Sequence, residues 1–270
     1  MDATAEMDDA YANRKYIPGG DDFPALWQAA ATTFRAGHKA SRLGLAYGSG
    51  ARQKLDLFLP QGEPAGLMVF VHGGYWRMFD RDDWSHLAAG ALQRGWAVAM
   101  PGYTIAPAGR IGTMVREVAV ALAMVSREVA GPIVVTGHSA GGHIAARLAC
   151  ADLVLPAPAR IRRYLPISPL TDLRPLMQTT MNDDLQIDAA EALAESPALL
   201  ARRGGADVRL WIGGDERPAF FDQAGWLAKA WGIPLTVAPQ RHHMNVIDDL
   251  AVADSALMAA LLDPAGFIRA

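Results

Sequence analysis

The sequence predicts an α/β fold built on a doubly wound, mainly parallel sheet flanked by helices. Three observations carry that prediction. Short apolar runs alternate with segments of helical period, most of the runs are apolar on both faces, and one of them feeds a serine flanked by glycines. Strand-length runs fall at 54–59, 67–71, 96–100, 133–136, 164–167, 208–212 and 235–237. Continuous apolar character suits strands covered on both faces. Only "KLDLFL" alternates cleanly, so it reads as an edge strand with one wet face.

Helical period appears between these runs. Residues 115–129 place Val115, Val118, Ala119, Leu122 and Val125 on one face, and 144–151, 220–230 and 246–262 repeat the pattern. Two segments stand outside the alternation. Residues 1–45 read as an N-terminal arm, with "DDFPALWQAAATTFRAG" forming a helix started near Pro24. Residues 168–206, rich in Pro, Met, Asp and Leu, follow a strand, and material there lies over the ligand crevice of an open sheet. They are expected to form a pocket wall. Neither segment is long enough for a domain of its own, so residues 1–270 are expected to form one domain.

Composition narrows the function. An apolar fraction of 51% and a charged fraction of 20% describe a core-forming protein. A net charge of −3 gives no electrostatic case for nucleic acid. Cys150 is the one cysteine, which rules out an intrachain disulfide. "MDATAEMDDAYANRKY" lacks the apolar core of a secretory signal, and no apolar run is long enough to span a bilayer. A cytoplasmic protein with a small-molecule partner, and no nucleic acid or membrane, is the expectation. The arm and an exposed edge strand offer a homodimer contact that the sequence does not demand.

The chemistry centres on "VVTGHSAGGH". Gly137-His138-Ser139-Ala140-Gly141 between a strand and a helix is the nucleophile elbow, a turn so tight that its flanks cannot carry side chains. Read blandly, it is a glycine-rich strand-to-helix turn. Upstream, "LMVFVHGGYW" ends a buried strand in a loop of the kind that supplies one backbone N–H for an oxyanion. The donors expected are Gly74 or Tyr75, with Ala140 completing the pair. Tyr75, Trp76, Met78 and Phe79 then offer an aromatic wall, although Trp76 reads more simply as a packed core residue.

With these motifs the chain resembles the α/β-hydrolase fold, and within it the kynurenine formamidase (arylformamidase) and small-esterase group. "AYANR", "YGSGARQKLDLFLP", "SPLTDLRPL", "GGDERPAFFDQ" and "HHMNVIDDL" resemble family segments in family order. Triad partners in this fold follow the serine as acid, then histidine. Two adjacent carboxylates, Asp215 and Glu216, compete for the first role. The family spacing from Gly213 and to Pro218 favours Glu216, with Asp215 the alternative acid. The family pattern at Met244-Asn245-Val246-Ile247 favours His243 over His242 as the base.

Gly73, Trp76 and Asn182 are the substrate contacts expected, with Met177 and Met181 beside them. Asp172 reads as a turn brace with Arg174. His38 falls in the arm, His86 in a helix, and His138 and His143 around the elbow. No spacing asks for a metal, and no cofactor is implied. The resemblance implies hydrolysis of N-formyl-L-kynurenine to L-kynurenine and formate. A carboxylesterase or thioesterase acting on short acyl groups is the alternative. A hydrolase-fold receptor without turnover is a third, disfavoured because candidates for all three triad positions are present.

Overall fold

The structure, a computed structural model, describes residues 2–155 and 157–264. The described residues form one nine-stranded sheet, in the order β1-β2-β4-β3-β5-β6-β8-β9 with β7 paired to β6. In chain order the strands are β1 (Ser41–Ala46), β2 (Lys54–Phe58), β3 (Leu67–Val71), β4 (Ala97–Pro101) and β5 (Ile133–His138), then β6 (Ile161–Ile167), β7 (Asp207–Val208), β8 (Leu210–Gly213) and β9 (Leu235–Ala238). The β1–β2 and β2–β4 pairs are antiparallel, and every other pair is parallel. The helices are α1 (Ala3–Ala10), α2 (Phe23–Gly37), α3 (Ala89–Gln93), α4 (Ile111–Glu128), α5 (Ala140–Leu148), α6 (Asn182–Leu185), α7 (Ala189–Ala194), α8 (Pro218–Trp231) and α9 (Ala256–Leu262). They cover both faces. One core cluster packs α4, α5 and α8 on the sheet, and a second packs α2, α3 and α9 on the other side.

Strands β3, β4 and β5 are buried at every position, as their unbroken apolar runs require. The edge expected at "KLDLFL" is not there. β1 pairs outside β2, and the polar Asp56 that gave the alternation is fully buried. Its carboxylate is matched instead of wetted: Arg35 Nη1 lies at 2.5 Å, Arg81 Nε at 3.2 Å and the Gly44 N–H at 2.7 Å. A buried charge is tolerable when paired and hydrogen-bonded in this way.

The helix expected over 246–262 is also corrected. It splits into a 3-10 turn, Asp248–Ala251, and the short α9, because the Ser255 hydroxyl accepts from the Met258 N–H and caps a new start. The 208–212 run divides into β7 and β8, the first pairing with β6.

Candidate active site

Strand β5 runs into α5 through Ser139, whose backbone sits at φ 56°, ψ −117°. A serine pays roughly 1–3 kcal/mol for such a conformation, so the surroundings must impose it. The glycines show how. A Cβ on Gly141 would lie 2.0 Å from the Val71 carbonyl oxygen, and one on Gly137 would lie 2.3 Å from the Gly141 oxygen. The turn is pressed directly onto the end of β3. Bonds from Ser139 N to Ile167 O and from His143 N to Ser139 O, both 2.9 Å, hold it there. Among the described residues the Ser139 hydroxyl has no hydrogen-bond partner. Catalytic hydrogen bonds commonly close only around a substrate.

The loop after β3 lies against this turn. A Cβ on Gly73 would sit 2.8 Å from the His138 carbonyl oxygen and 3.3 Å from Ser139 Cβ. Gly73 therefore backs the serine and does not line the cleft. Gly74, Tyr75 and Trp76 follow with φ of 112°, 49° and 56°. Among the described residues, neither the Tyr75 nor the Ala140 N–H donates to a backbone acceptor. Trp76 is fully buried, edge-on to His143 at 5.1 Å. It is core and not a substrate contact.

The carboxylate and the imidazole arrive on the loops after β8 and β9. Glu216 Oε2 and His243 Nδ1 are 2.7 Å apart. The other oxygen, Oε1, accepts from the Gly213 N–H at 3.1 Å and from the Ser168 hydroxyl. Glu216 is buried, whereas Asp215 is exposed and contributes only a backbone N–H to the Arg241 oxygen at 2.9 Å. Of the two adjacent carboxylates, the structure brings Glu216 to the histidine.

His243 packs between Phe220 (ring centroids 4.2 Å) and His138 (4.6 Å). His138 is buried, and the loss of solvation holds its pKa well below the usual histidine value, so a neutral ring faces His243. His242 turns away, its Nδ1 accepting from the Met244 and Asn245 N–H groups.

Ser139 and His243 open onto a cleft of about 710 Å³. Tyr75, Trp27, Phe79 and Trp84 give it an aromatic lining. The outer wall differs from expectation. Of residues 168–206 only Thr180 and Met181 reach the cleft, whereas the arm contributes Asp8, Tyr11, Asn13, Arg14, Lys15 and Asp21. Asn182 is spent elsewhere: its Oδ1 accepts from the Ile187 N–H at 2.7 Å and its Nδ2 donates to the Ile187 oxygen at 3.1 Å, clasping a turn. Asp172 does brace Arg174, through contacts of 2.5–3.1 Å.

The sequence profile of the alpha/beta hydrolase family matches residues 68–266. The chain belongs to that family. It is an enzyme, a hydrolase. Among curated relatives, a kynurenine formamidase of Salmo salar is 28% identical over 243 residues, covering 83% of this chain and 82% of its own. A crystal structure of a candidate thioesterase from Silicibacter sp. TM1040 is 52% identical, with TM-score 0.92, covering 95% of this chain and 98% of that one. Esterase B from Lactobacillus rhamnosis shares the fold at TM-score 0.66 and 18% identity, over 89% of this chain and 92% of that one.

Several residues of the hydrolase's site escaped the sequence reading. Ser168 holds the Glu216 carboxylate from a left-handed turn at φ 46°, and its only sequence signal was its place at the end of an apolar run. Tyr11 and Asn13 meet the Tyr75 hydroxyl, Gln223 holds Tyr11 from across the chain, and no local pattern marks them. No helix among the described residues is long and apolar enough to cross a membrane.

Proposed function

We propose that this hydrolase cleaves a small acyl amide, N-formyl-L-kynurenine to L-kynurenine and formate, through Ser139, His243 and Glu216. The observation that carries the reading is the buried Glu216–His243 pair, at 2.7 Å, whose histidine lines the same cleft as the elbow serine. Ser139 Oγ attacks the acyl carbon while His243 Nε2 takes its proton. Glu216 holds the proton on Nδ1 and stabilises the imidazolium that forms. The oxyanion settles on the N–H groups of Tyr75, or of Gly74 before it, and Ala140. His243 then protonates the leaving amine. Water, deprotonated by the same imidazole, attacks the acyl-enzyme and releases the acid and the serine.

Three features support a formylated aromatic amino acid as substrate. Tyr75 lines the cleft together with Ser139, and a ring of that size there suits a formyl or acetyl group over a long chain. Trp27, Phe79 and Trp84 suit an aryl body, and charges of both signs at the mouth (Asp8, Arg14, Lys15, Asp21) suit an amino-acid head. The formamidase relatives point the same way. A cytoplasmic setting belongs to this reading, with Cys150 buried as a free thiol.

The second reading, a short-acyl carboxylesterase or thioesterase, rests on the 52% identical neighbour. Comparing kcat/KM on N-formylkynurenine, phenyl acetate and an acetyl thioester separates the two. Faster deformylation supports the first reading, and sluggish deformylation beside rapid ester or thioester cleavage replaces it with the second. A chain-length series adds a check: preference for long acyl chains refutes the crowding argument.

A further inference from the structure

The oxyanion loop holds Tyr75 and Trp76 in consecutive left-handed conformations, directly after a glycine at φ 112°. Non-glycine residues adopt this conformation only under constraint, so something outside the loop must hold each of the two. Trp76 is held by burial and by its carbonyl, which accepts from the Ala106 N–H at 2.8 Å. Tyr75 is held by the arm. Its hydroxyl donates to the Tyr11 carbonyl oxygen at 2.6 Å and accepts from Asn13 Nδ2 at 3.2 Å. The polarity is unambiguous. A carbonyl can only accept, so the single hydroxyl proton points to Tyr11 and a lone pair faces Asn13.

Tyr11 is fastened in turn. Its hydroxyl accepts from Gln223 Nε2 at 2.9 Å, while Gln223 Oε1 accepts from the N–H groups of Thr171 at 2.6 Å and Asp172 at 2.8 Å. The Tyr11 ring stands edge-on to Phe220 at 5.9 Å, and Phe220 packs on His243 at 4.2 Å. One arm residue thus bonds the Tyr75 hydroxyl through its carbonyl and packs, through its ring, on the Phe220 that lies against His243. Outside it, Arg217 pairs with Asp9 at 2.9 Å and lies 3.7 Å from the Tyr16 ring centre, pinning the arm to the start of α8.

We propose that Tyr11 and Asn13 are positioning residues that act through the Tyr75 hydroxyl to aim the Tyr75 backbone N–H at the developing oxyanion. The arm is then part of the catalytic geometry as well as a wall of the cleft. This inference rests on Ser139 being the nucleophile. It predicts an effect that grows with charge on the bound oxygen, because a misaimed donor matters little to a neutral carbonyl and much to an alkoxide.

The test uses the full chain with 4-nitrophenyl acetate as substrate and phenylboronic acid as probe. The boron accepts Ser139 Oγ, the serine proton passes to His243, and the resulting tetrahedral anion presents an oxygen to the same donors. Tyr75→Phe keeps the ring and removes the hydroxyl. It should lower kcat about 10- to 100-fold, less than the 10²–10³ of losing a donor outright. KM should change little, and phenylboronic acid affinity should fall in parallel with kcat. Asn13→Ala leaves the Tyr75–Tyr11 bond intact and should give the same split at smaller size.

Assays run below each variant's melting transition. A wild-type kcat in Tyr75→Phe, or a lower kcat with undiminished boronic acid affinity, overturns the inference. Failure of the proposed triad looks different: the wild type itself would resist fluorophosphonate labelling, or Ser139→Ala would keep its turnover. A wild type that labels rapidly beside a Tyr75→Phe variant that labels equally fast sinks only the arm's role.

Discussion

The elbow and the N-terminal arm border the same cleft but are held by different forces. At the elbow the constraint is steric and local: Gly137 and Gly141, four residues apart, have backbone oxygens where side chains would be. In the arm it is polar and distant, with Asn13 reaching Tyr75 across 62 residues and Tyr11 meeting Gln223 across 212. Steric constraints of the first kind leave a mark in a five-residue window. Hydrogen bonds of the second kind leave none, because Tyr, Asn and Gln are ordinary residues anywhere on a chain.

Substitution at the elbow should have the largest effect. Ser139→Ala should cut turnover by on the order of 10⁴ or more, with little change in melting temperature, since the new residue already has the Cβ that the turn accepts. Residual activity near wild type would show that the elbow presents no nucleophile. Next in size is the contrast between adjacent carboxylates. Glu216→Gln should lower kcat about 10³- to 10⁴-fold by upsetting the His243 tautomer, whereas Asp215→Asn should stay within about twofold. A reversal of those two results would move the acid to the exposed neighbour.

Gly141→Ala tests the steric half directly. Its methyl group would meet the Val71 oxygen at 2.0 Å, so a loss of about 4 kcal/mol or outright misfolding is expected in urea titrations. An unchanged urea midpoint would mean that the turn has room the geometry denies it.

Acid separates the two regions more gently. Burial holds His72 at about 4 and His143 at about 3, against 6.5 for free histidine. These pKa values are depressed, so the stability they carry is present above pH 6.5 and is lost as pH falls toward 4, where the unfolded chain takes up protons that the fold refuses. The arm's anchor behaves otherwise. Hydrogen bonds from Lys15 and Tyr16 lower Asp9 from 3.8 to about 2, so its contribution survives until pH drops through that range. Between pH 7.5 and pH 5 the urea midpoint should fall while the arm stays docked. A midpoint that does not move would contradict the buried neutral histidines.

Legibility followed the same division. The parallel sheet and the strand-to-helix turn at Gly137–Gly141 are legible because apolar runs and glycine spacing are local records of packing, whereas the choice of Glu216 and His243 rests on the family resemblance. "KLDLFL" misled because a buried Asp56, matched by Arg35 and Arg81, has the same pattern as a wetted one. β1 was missed because Arg42 and the bulge at Gly44 break its strand pattern. Asn182 looked functional by its place after a strand, yet its amide groups close a turn. The place of 168–206 after a strand end points to it as the cleft wall, while the arm occupies that space through contacts between residues far apart in the chain.

The clasp on Tyr11 also bears on how the protein is made. Tyr11 leaves the ribosome about 210 residues before Gln223, its hydroxyl's partner, which at about 5–20 residues per second is an interval of roughly 10–40 s. Until then the Tyr11 hydroxyl lacks that partner, although Tyr75 and Thr180, which also hold this segment, have already been made.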